Sequence, residues 1–266
     1  MNVQGGEYGN ALQEACSKGY RDTARLLLEN GMDVNVQGGK YGNALQAACS
    51  NGHRDIAQLL LKNGADVNAQ GGKYWNALQE ACSKGHRDIA QLLLENGMDV
   101  NAQGGNALQE ACSKGHQNIA RLLLKNGADI NAQGGKYGNA LQAACSKGHW
   151  NIAQLLLENG ADVNVQGGEF KNALQAAWSK GQWDIGWLLI ENGADAASSK
   201  GRWDIAQLLL KNGADVNVQG GIDYGSALQE AQSEGHWDIV QLLIENGADA
   251  NDQGEAPVPG SFVYIE

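Results

Sequence analysis

The strongest constraint on this chain is a repeat of 33 residues. The stretch 41–68, YGNALQAACSNGHRDIAQLLLKNGADVN, recurs with few changes along most of the 266 residues, and the Asn-Gly pairs beginning at Asn30, Asn63 and Asn96 mark the step. A period of this size is typical of a stacked array in which each unit contacts only its neighbours. The sequence therefore predicts an all-α repeat solenoid and argues against a globular domain with one central site.

Each repeat carries the signals for two short helices joined by a turn. Asn43 is a good N-cap for the first helix, which Asn51-Gly52 ends, and Asp55 suits the positive end of the second helix, which ends at Asn63-Gly64. An extended loop with a Gly-Gly turn at its tip, here called the finger, then leads to the next first helix. Helices of about two turns are unstable alone, so stacking must stabilise them. We expect helix pairs at about 11–29, 44–62, 77–95, 107–125, 140–158, 173–191 and 227–245.

The array is predicted to span residues 1–250 in about eight units, followed by a C-terminal tail at 251–266. The fourth finger is three residues short, and the seventh unit lacks its finger and most of its first helix around 194–201, before a second helix at about 202–211. Trp178 and Trp187 stand near this gap in place of Cys and Gln, and we expect them to fill it partly. For Trp183 and Trp203, simple occupation of a repeat position is an equally good interpretation.

The sequence motifs of this repeat resemble those of the ankyrin repeat, and in particular those of the ankyrin arrays in large fungal proteins. The matching residues are Ala47-Ala48, Gly52-His53, Ile56, the run Leu59-Leu60-Leu61 and Gly64-Ala65-Asp66-Val67-Asn68. The sequence departs from the family at the first helix, where Asn43-Ala44-Leu45-Gln46 stands in place of Thr-Pro-Leu-His. The resemblance implies stacked helix-turn-helix units, β-hairpin-like fingers and a concave surface that binds proteins.

Composition excludes several classes of function. The net charge of −11 argues against nucleic acid, which needs a basic stripe. The chain has no apolar run of about 20 residues and no signal-peptide pattern, so we expect a cytoplasmic protein that does not cross a membrane. Five cysteines share one repeat position and are expected to be small buried residues, reduced and without metal. They are Cys16, Cys49, Cys82, Cys112 and Cys145.

The sequence shows no set of different catalytic residue types that would meet in one pocket. His53, His86, His116, His149 and His236 share one position, where the family uses His structurally. A repeat places copies of one residue in a row, whereas catalysis needs different residue types that converge. The Gly-rich fingers lack the spacing of a phosphate-binding loop. We therefore predict a protein that is not an enzyme and holds no cofactor.

The candidate site is a row of aromatic residues at the finger tips, framed by charge, which is a usual composition of binding hot spots. Its residues are Tyr8, Lys40, Tyr41, Lys73, Tyr74, Trp75, Lys136, Tyr137, Phe170 and Tyr224, with Trp75 expected to be the exposed ring. The alternative is that the rings pack under their own finger or against the next one. A second row lies on the first helices, and a solvated face is its simpler interpretation; it contains Glu14, Ala47, Glu80, Glu110, Ala143, Ala176 and Glu230.

These features favour a non-catalytic, monomeric scaffold that binds partner proteins on the finger and first-helix face. One alternative is the sensing or regulatory fragment of a larger fungal signalling ATPase, whose phosphate-binding loop would have to lie outside this chain. Another alternative is a structural spacer with no selective partner.

Overall fold

The computed structural model describes residues 7–72, 75–102, 106–194, 206–207, 210, 216–217, 226–233 and 235–249, without the side chains of Trp183, Glu230 and Ser233. The chain divides into two compact bodies, Met1–Ala194 and Asp195–Glu266. Its helices are α1 (Ala11–Lys18), α2 (Arg21–Glu29), α3 (Ala44–Ser50), α4 (Arg54–Lys62), α5 (Ala77–Lys84), α6 (Arg87–Glu95), α7 (Ala107–Lys114), α8 (Gln117–Lys125), α9 (Ala140–Lys147), α10 (Trp150–Glu158), α11 (Ala173–Ser179), α12 (Trp183–Glu191), α13 (Ala227–Ser233) and α14 (Trp237–Glu245).

The helix boundaries follow the capping residues, which confirms the predicted pairs. Asn43 Oδ1 accepts a hydrogen bond from Gln46 N at 2.8 Å and opens α3. The second helix, α4, ends where Gly64 takes a φ of 81° and Ala65 N donates to Leu60 O at 3.0 Å. The same pattern repeats along the first body, so the stack of helix-turn-helix units predicted from the period is confirmed.

Small residues allow the first helices to pack side by side. Ala47, Ala48 and Cys49 are fully buried, and each first helix also contacts the second helix of its own unit. The five cysteines are buried and free, as predicted, and burial raises the pKa of the Cys16 thiol to about 12. A protonated, enclosed thiol is a poor nucleophile, so these residues serve packing.

The departure from Thr-Pro-Leu-His has a structural explanation. Gln46, which stands in place of His, donates from Nε2 to Gly71 O at 2.8 Å and to Trp75 O at 3.1 Å in the next finger. Gln142 makes the equivalent contact with Gly167 O at 3.1 Å. This glutamine therefore ties the first helix to the finger that follows it in four units, at Gln13, Gln46, Gln109 and Gln142.

A row of asparagines joins successive units. Asn68 Nδ2 donates to Gly97 O at 3.2 Å, and Asn68 Oδ1 accepts from Asp99 N at 2.9 Å. The same pair of bonds is made by Asn35 with Gly64 and Asp66, by Asn101 with Gly127 and Asp129, and by Asn217 with Gly247 and Asp249. The asparagine that ends the Gly-Ala-Asp-Val-Asn motif thus acts as a clamp, because it bonds its own unit to the next one.

Replacing Asn68 with Ala should lower the free energy of unfolding by about 1–2 kcal/mol, because two hydrogen bonds between units are lost. The measurement is urea unfolding followed by circular dichroism. Asn63→Ala is the control, since Asn63 Nδ2 makes its 2.8 Å bond to Leu59 O inside its own unit. Losses of equal size for the two variants would contradict the clamp.

Several sequence predictions lie outside the described residues. The shortened fourth finger falls partly on 103–105, the missing helix on 195–201, and the tail on 251–266. Trp178 is described, and its indole lies against Gly186 on α12 of the same unit. Trp187 is 54% exposed. The proposal that these tryptophans fill the gap near residue 194 stays a prediction.

Candidate functional site

Each finger closes on itself through a short backbone turn. Gly38 N donates to Gly42 O at 2.7 Å, and Gly134 N donates to Gly138 O at 2.8 Å. These contacts are isolated bridges rather than strands, which fits the predicted hairpin-like finger. The turn places Lys40 and Tyr41, or their equivalents, at the tip.

Neighbouring fingers are stacked with their backbones in close contact. A Cβ atom on Gly39 would overlap the carbonyl of Tyr8, and one on Gly168 would overlap the carbonyl of Tyr137. Lys40 N also donates to Glu7 O at 3.0 Å across this contact. The recurring Gly-Gly pair is therefore needed for the approach of one finger to the next as well as for the turn that sequence analysis predicted.

The aromatic rings extend from the fingers over the first helices. Tyr8 and Tyr41 are half-buried, and their rings stack with centroids 6.5 Å apart and an angle of 23° between planes. Hydrogen bonds with the side chains of Asn51 and Ser17 lower the pKa of Tyr41. Tyr8 and Tyr41 thus pack against each other, as the packing interpretation expects, and part of each ring reaches solvent. A role of the rings in binding stays a prediction.

Lysines at the ends of the first helices cover these rings. Lys18 Nζ lies 5.6 Å from the Tyr8 centroid, Lys147 Nζ lies 5.7 Å from Tyr137, and Lys180 Nζ lies 5.3 Å from Phe170. A cation over an aromatic ring contributes about 0.5–1 kcal/mol when exposed. Sequence analysis missed these lysines, although their recurrence in Ser-Lys-Gly was visible. We call the surface the ring–lysine face; it consists of Tyr8, Lys18, Tyr41, Tyr137, Lys147, Phe170 and Lys180.

The charged residues at the finger tips pair with the adjacent finger. Lys40 Nζ lies 3.1 Å from Glu7 Oε1, and Lys136 Nζ lies 3.5 Å from Glu169 Oε2. Lys40 and Lys136 also lie over Tyr41 and Tyr137, at 5.6 and 5.9 Å from the ring centroids. Exposed ion pairs contribute about 0–1 kcal/mol, so these contacts orient the tips more than they stabilise the fold.

Trp75 has an unusual backbone conformation. Its φ is 69°, in the left-handed region, and its equivalents Gly9, Gly42 and Gly138 have φ values of 96°, 92° and 93°. Lys171, at the same position of the sixth unit, has a φ of 68°. The side chain is 53% exposed, which confirms the expectation that this ring reaches solvent. A bulky residue in this region costs about 1–2 kcal/mol, and such strain is found most often at functional sites. Lys73, Tyr74 and Tyr224 lie outside the described residues.

The histidines serve packing between units. His53 Nε2 lies 3.2 Å from Ser17 O, and its ring sits against Gly19 of the preceding unit. His86 and His149 make the same contact with Ser50 O and Ser113 O, at 3.3 Å. Within the described ranges, no group of three His, Cys, Asp or Glu residues is arranged to hold a metal ion. In the same ranges no helix is long and apolar enough to cross a membrane.

Comparison with known families agrees with this architecture. A family model described as "Ankyrin repeats (3 copies)" matches residues 1–71, 69–134, 133–199 and 194–258. The chain belongs to the ankyrin-repeat family. Ankyrin repeats generally mediate interactions between proteins. The family consists of interaction scaffolds that are not enzymes.

Among solved structures, this ankyrin array is similar to the human ASB11 ankyrin repeat domain. The two are 26% identical, with a TM-score of 0.64, and the alignment covers 89% of this chain and 97% of the other. The comparison with curated proteins found no match. Family and fold thus agree with the expectation from the 33-residue period.

Proposed function

We propose that this ankyrin array is a non-catalytic, monomeric scaffold that binds a partner protein on the ring–lysine face and the adjoining finger tips. The observation that carries the proposal is Trp75, a large exposed ring in a left-handed backbone position. Gly9, Gly42 and Gly138 hold this position in three other units, and Lys171 holds it in a fourth. An exposed ring buries little apolar surface, so it does not offset the free-energy cost of its backbone conformation. It is best explained as a contact for another molecule.

The other rings support the same assignment. Tyr8, Tyr137 and Phe170 are half-buried beneath lysines, so their conformations are restricted before a partner arrives. Restricted side chains lose less entropy on binding, and aromatic residues bring a large contact area. We assign the array to the cytoplasm, because five free, buried cysteines suit a reducing compartment.

The test is to capture partners by crosslinking from a lysate of the source cell, with the native chain and with Trp75→Gly. The variant restores the residue that other units have at this position, so the free energy of unfolding should stay within about 1 kcal/mol of the native value. Capture of a selectively bound protein should fall at least tenfold, as expected for the loss of a hot-spot ring.

Trp150→Arg is the matched control. Trp150 is an exposed ring on the second helix α10, and Arg occupies its position in three earlier units. This variant should capture as much partner as the native chain. Loss of capture by Trp150→Arg alone would move the site to the second helices, and the absence of any selective partner would favour a spacer.

A further inference from the structure

The ends of the first helices form a row of lysines on successive units. Lys18, Lys84, Lys114, Lys147 and Lys180 are all exposed. Lys18 Nζ is engaged by Glu14 Oε1 at 2.7 Å. Within the part of the chain that the structure describes, Lys84, Lys114, Lys147 and Lys180 lie beyond 4.0 Å from any carboxylate oxygen. Lys84 and Lys114 have Glu80 and Glu110 one turn earlier on the same helix, but Glu80 is only 2% exposed and Glu110 is half-buried. Four consecutive units therefore present an exposed ammonium group at the end of the first helix, in a chain whose net charge is −11.

The helix dipole alone does not account for this row. A cation in the last turn of a helix is favourable, by about 0.3–1 kcal/mol. The second helices have the same dipole, yet α2, α6, α10, α12 and α14 end in glutamate. Among the described helices, α4 and α8 are the second helices that end in lysine, whereas α1, α5, α7 and α9 of the first helices do so and Lys180 directly follows α11. Lysine is therefore commoner at the ends of the first helices than the helix dipole alone explains.

The acidic residues are concentrated elsewhere. In the first body most of them lie on the second helices and in the turns that follow, at Asp22, Glu29, Asp33, Asp55, Asp66, Asp88, Glu95, Asp99, Asp129, Glu158, Asp162, Asp184 and Glu191. The fingers and first helices carry the others, which are Glu7, Glu14, Glu80, Glu110 and Glu169. At physiological ionic strength the screening length is about 8 Å. A ligand that touches the lysines is therefore screened from the acidic second helices. Glu80 and Glu110 weaken its attraction to Lys84 and Lys114, whereas Ala143 and Ala176 stand at the equivalent positions beside Lys147 and Lys180.

We infer that Lys84, Lys114, Lys147 and Lys180 bind an extended acidic segment of a partner protein, with carboxylates at about every third residue. Packed helices are about 8–10 Å apart. An extended chain in the polyproline II conformation advances about 3.1 Å per residue with three residues per turn, so every third side chain lies on the same face and three residues match one unit. The row of four lysines then matches about ten residues of the segment. Tyr137 and Phe170 lie beside Lys147 and Lys180 and offer apolar contact to the residues between carboxylates. This inference rests on the proposed function and names the chemistry of the partner.

The test uses a fluorescent peptide of about ten residues with Glu at every third position and Ser between. Its binding to the full chain is followed by fluorescence anisotropy. The variant Lys84→Gln, Lys114→Gln, Lys147→Gln and Lys180→Gln should bind the peptide about tenfold more weakly at low salt, because each exposed pair contributes a fraction of a tenfold step. Added salt should reduce the difference.

The matched control removes the same charge from the second helices, with Lys62→Gln, Arg87→Gln, Arg121→Gln and Lys125→Gln, and should leave the affinity within about twofold of native. Equal weakening in both variants would overturn the inference, because it would reflect net charge alone. Absence of binding to the native chain would overturn it too. If the peptide fails but Trp75-dependent capture persists, the scaffold function stands and only the acidic segment is wrong.

Discussion

Replacing Gly168 with Ala is expected to lower the free energy of unfolding by about 2–4 kcal/mol. Gly168 has a φ of 65°, which costs an L-residue about 1–2 kcal/mol. The new Cβ atom would also overlap the carbonyl of Tyr137 and the amide nitrogen of Gly138 in the preceding finger. Because these are backbone atoms, the overlap must move a whole finger, and overpacking adds about 1–3 kcal/mol. Urea unfolding followed by circular dichroism measures the loss.

The control for this prediction is Gly160→Ala. Gly160 has a φ of 86°, and a Cβ atom there would meet nothing within 4 Å. That variant carries the conformational cost without the contact, so its loss should be about 1–2 kcal/mol. If the two variants lost equal stability, finger-to-finger packing would not be the reason for the Gly-Gly pairs.

The second large effect concerns Trp178 and Gly186, which change together relative to the other units. Trp178 takes the position of the buried cysteines, and Gly186 takes that of Ala57 and Ala153. A Cβ atom on Gly186 would overlap the indole nitrogen of Trp178. Ala would improve helix propensity by about 1 kcal/mol, yet overpacking costs about 1–3 kcal/mol. Gly186→Ala should therefore lower the free energy of unfolding by up to about 2 kcal/mol.

The double variant decides whether the two positions are coupled. Trp178→Cys alone should lose about 2–4 kcal/mol, because it leaves a cavity beside Gly186. With Gly186→Ala added, the pair found in the other units is restored, and the loss should be smaller than the sum of the two single losses by at least about 1 kcal/mol. Strictly additive losses would show that the glycine does not make room for the ring.

Much of the fold could be predicted because its signals are local. Asn43 and its equivalents cap the first helices, and Asn-Gly pairs end the second helices, so helix positions follow from residues that act within one turn. The role of Gln46 could not be predicted in this way, since its partners Gly71 and Trp75 belong to the next finger. Contacts between units depend on the distance between neighbouring units in the stack. The sequence of one repeat does not show that distance.

The candidate site was predicted in part for the same reason. The sequence places Tyr8, Tyr137 and Phe170 in the row on the fingers, and it predicts a second row on the first helices without showing how the two rows contact each other. The structure joins the two, because Lys18, Lys147 and Lys180 lie over the rings from the helix ends. A lysine side chain is long enough to make this contact or to extend into solvent, so sequence alone leaves its direction open.

The most direct test of the binding face is amide hydrogen exchange of the chain with and without a partner captured through Trp75. Binding should slow exchange in the fingers, at residues 36–43 and 132–139, and at the ends of the first helices α5, α7 and α9. Exchange in the second helices α6, α8 and α10 should stay unchanged. Protection confined to the second helices, with fingers unaffected, would contradict the assignment of the ring–lysine face as the binding surface.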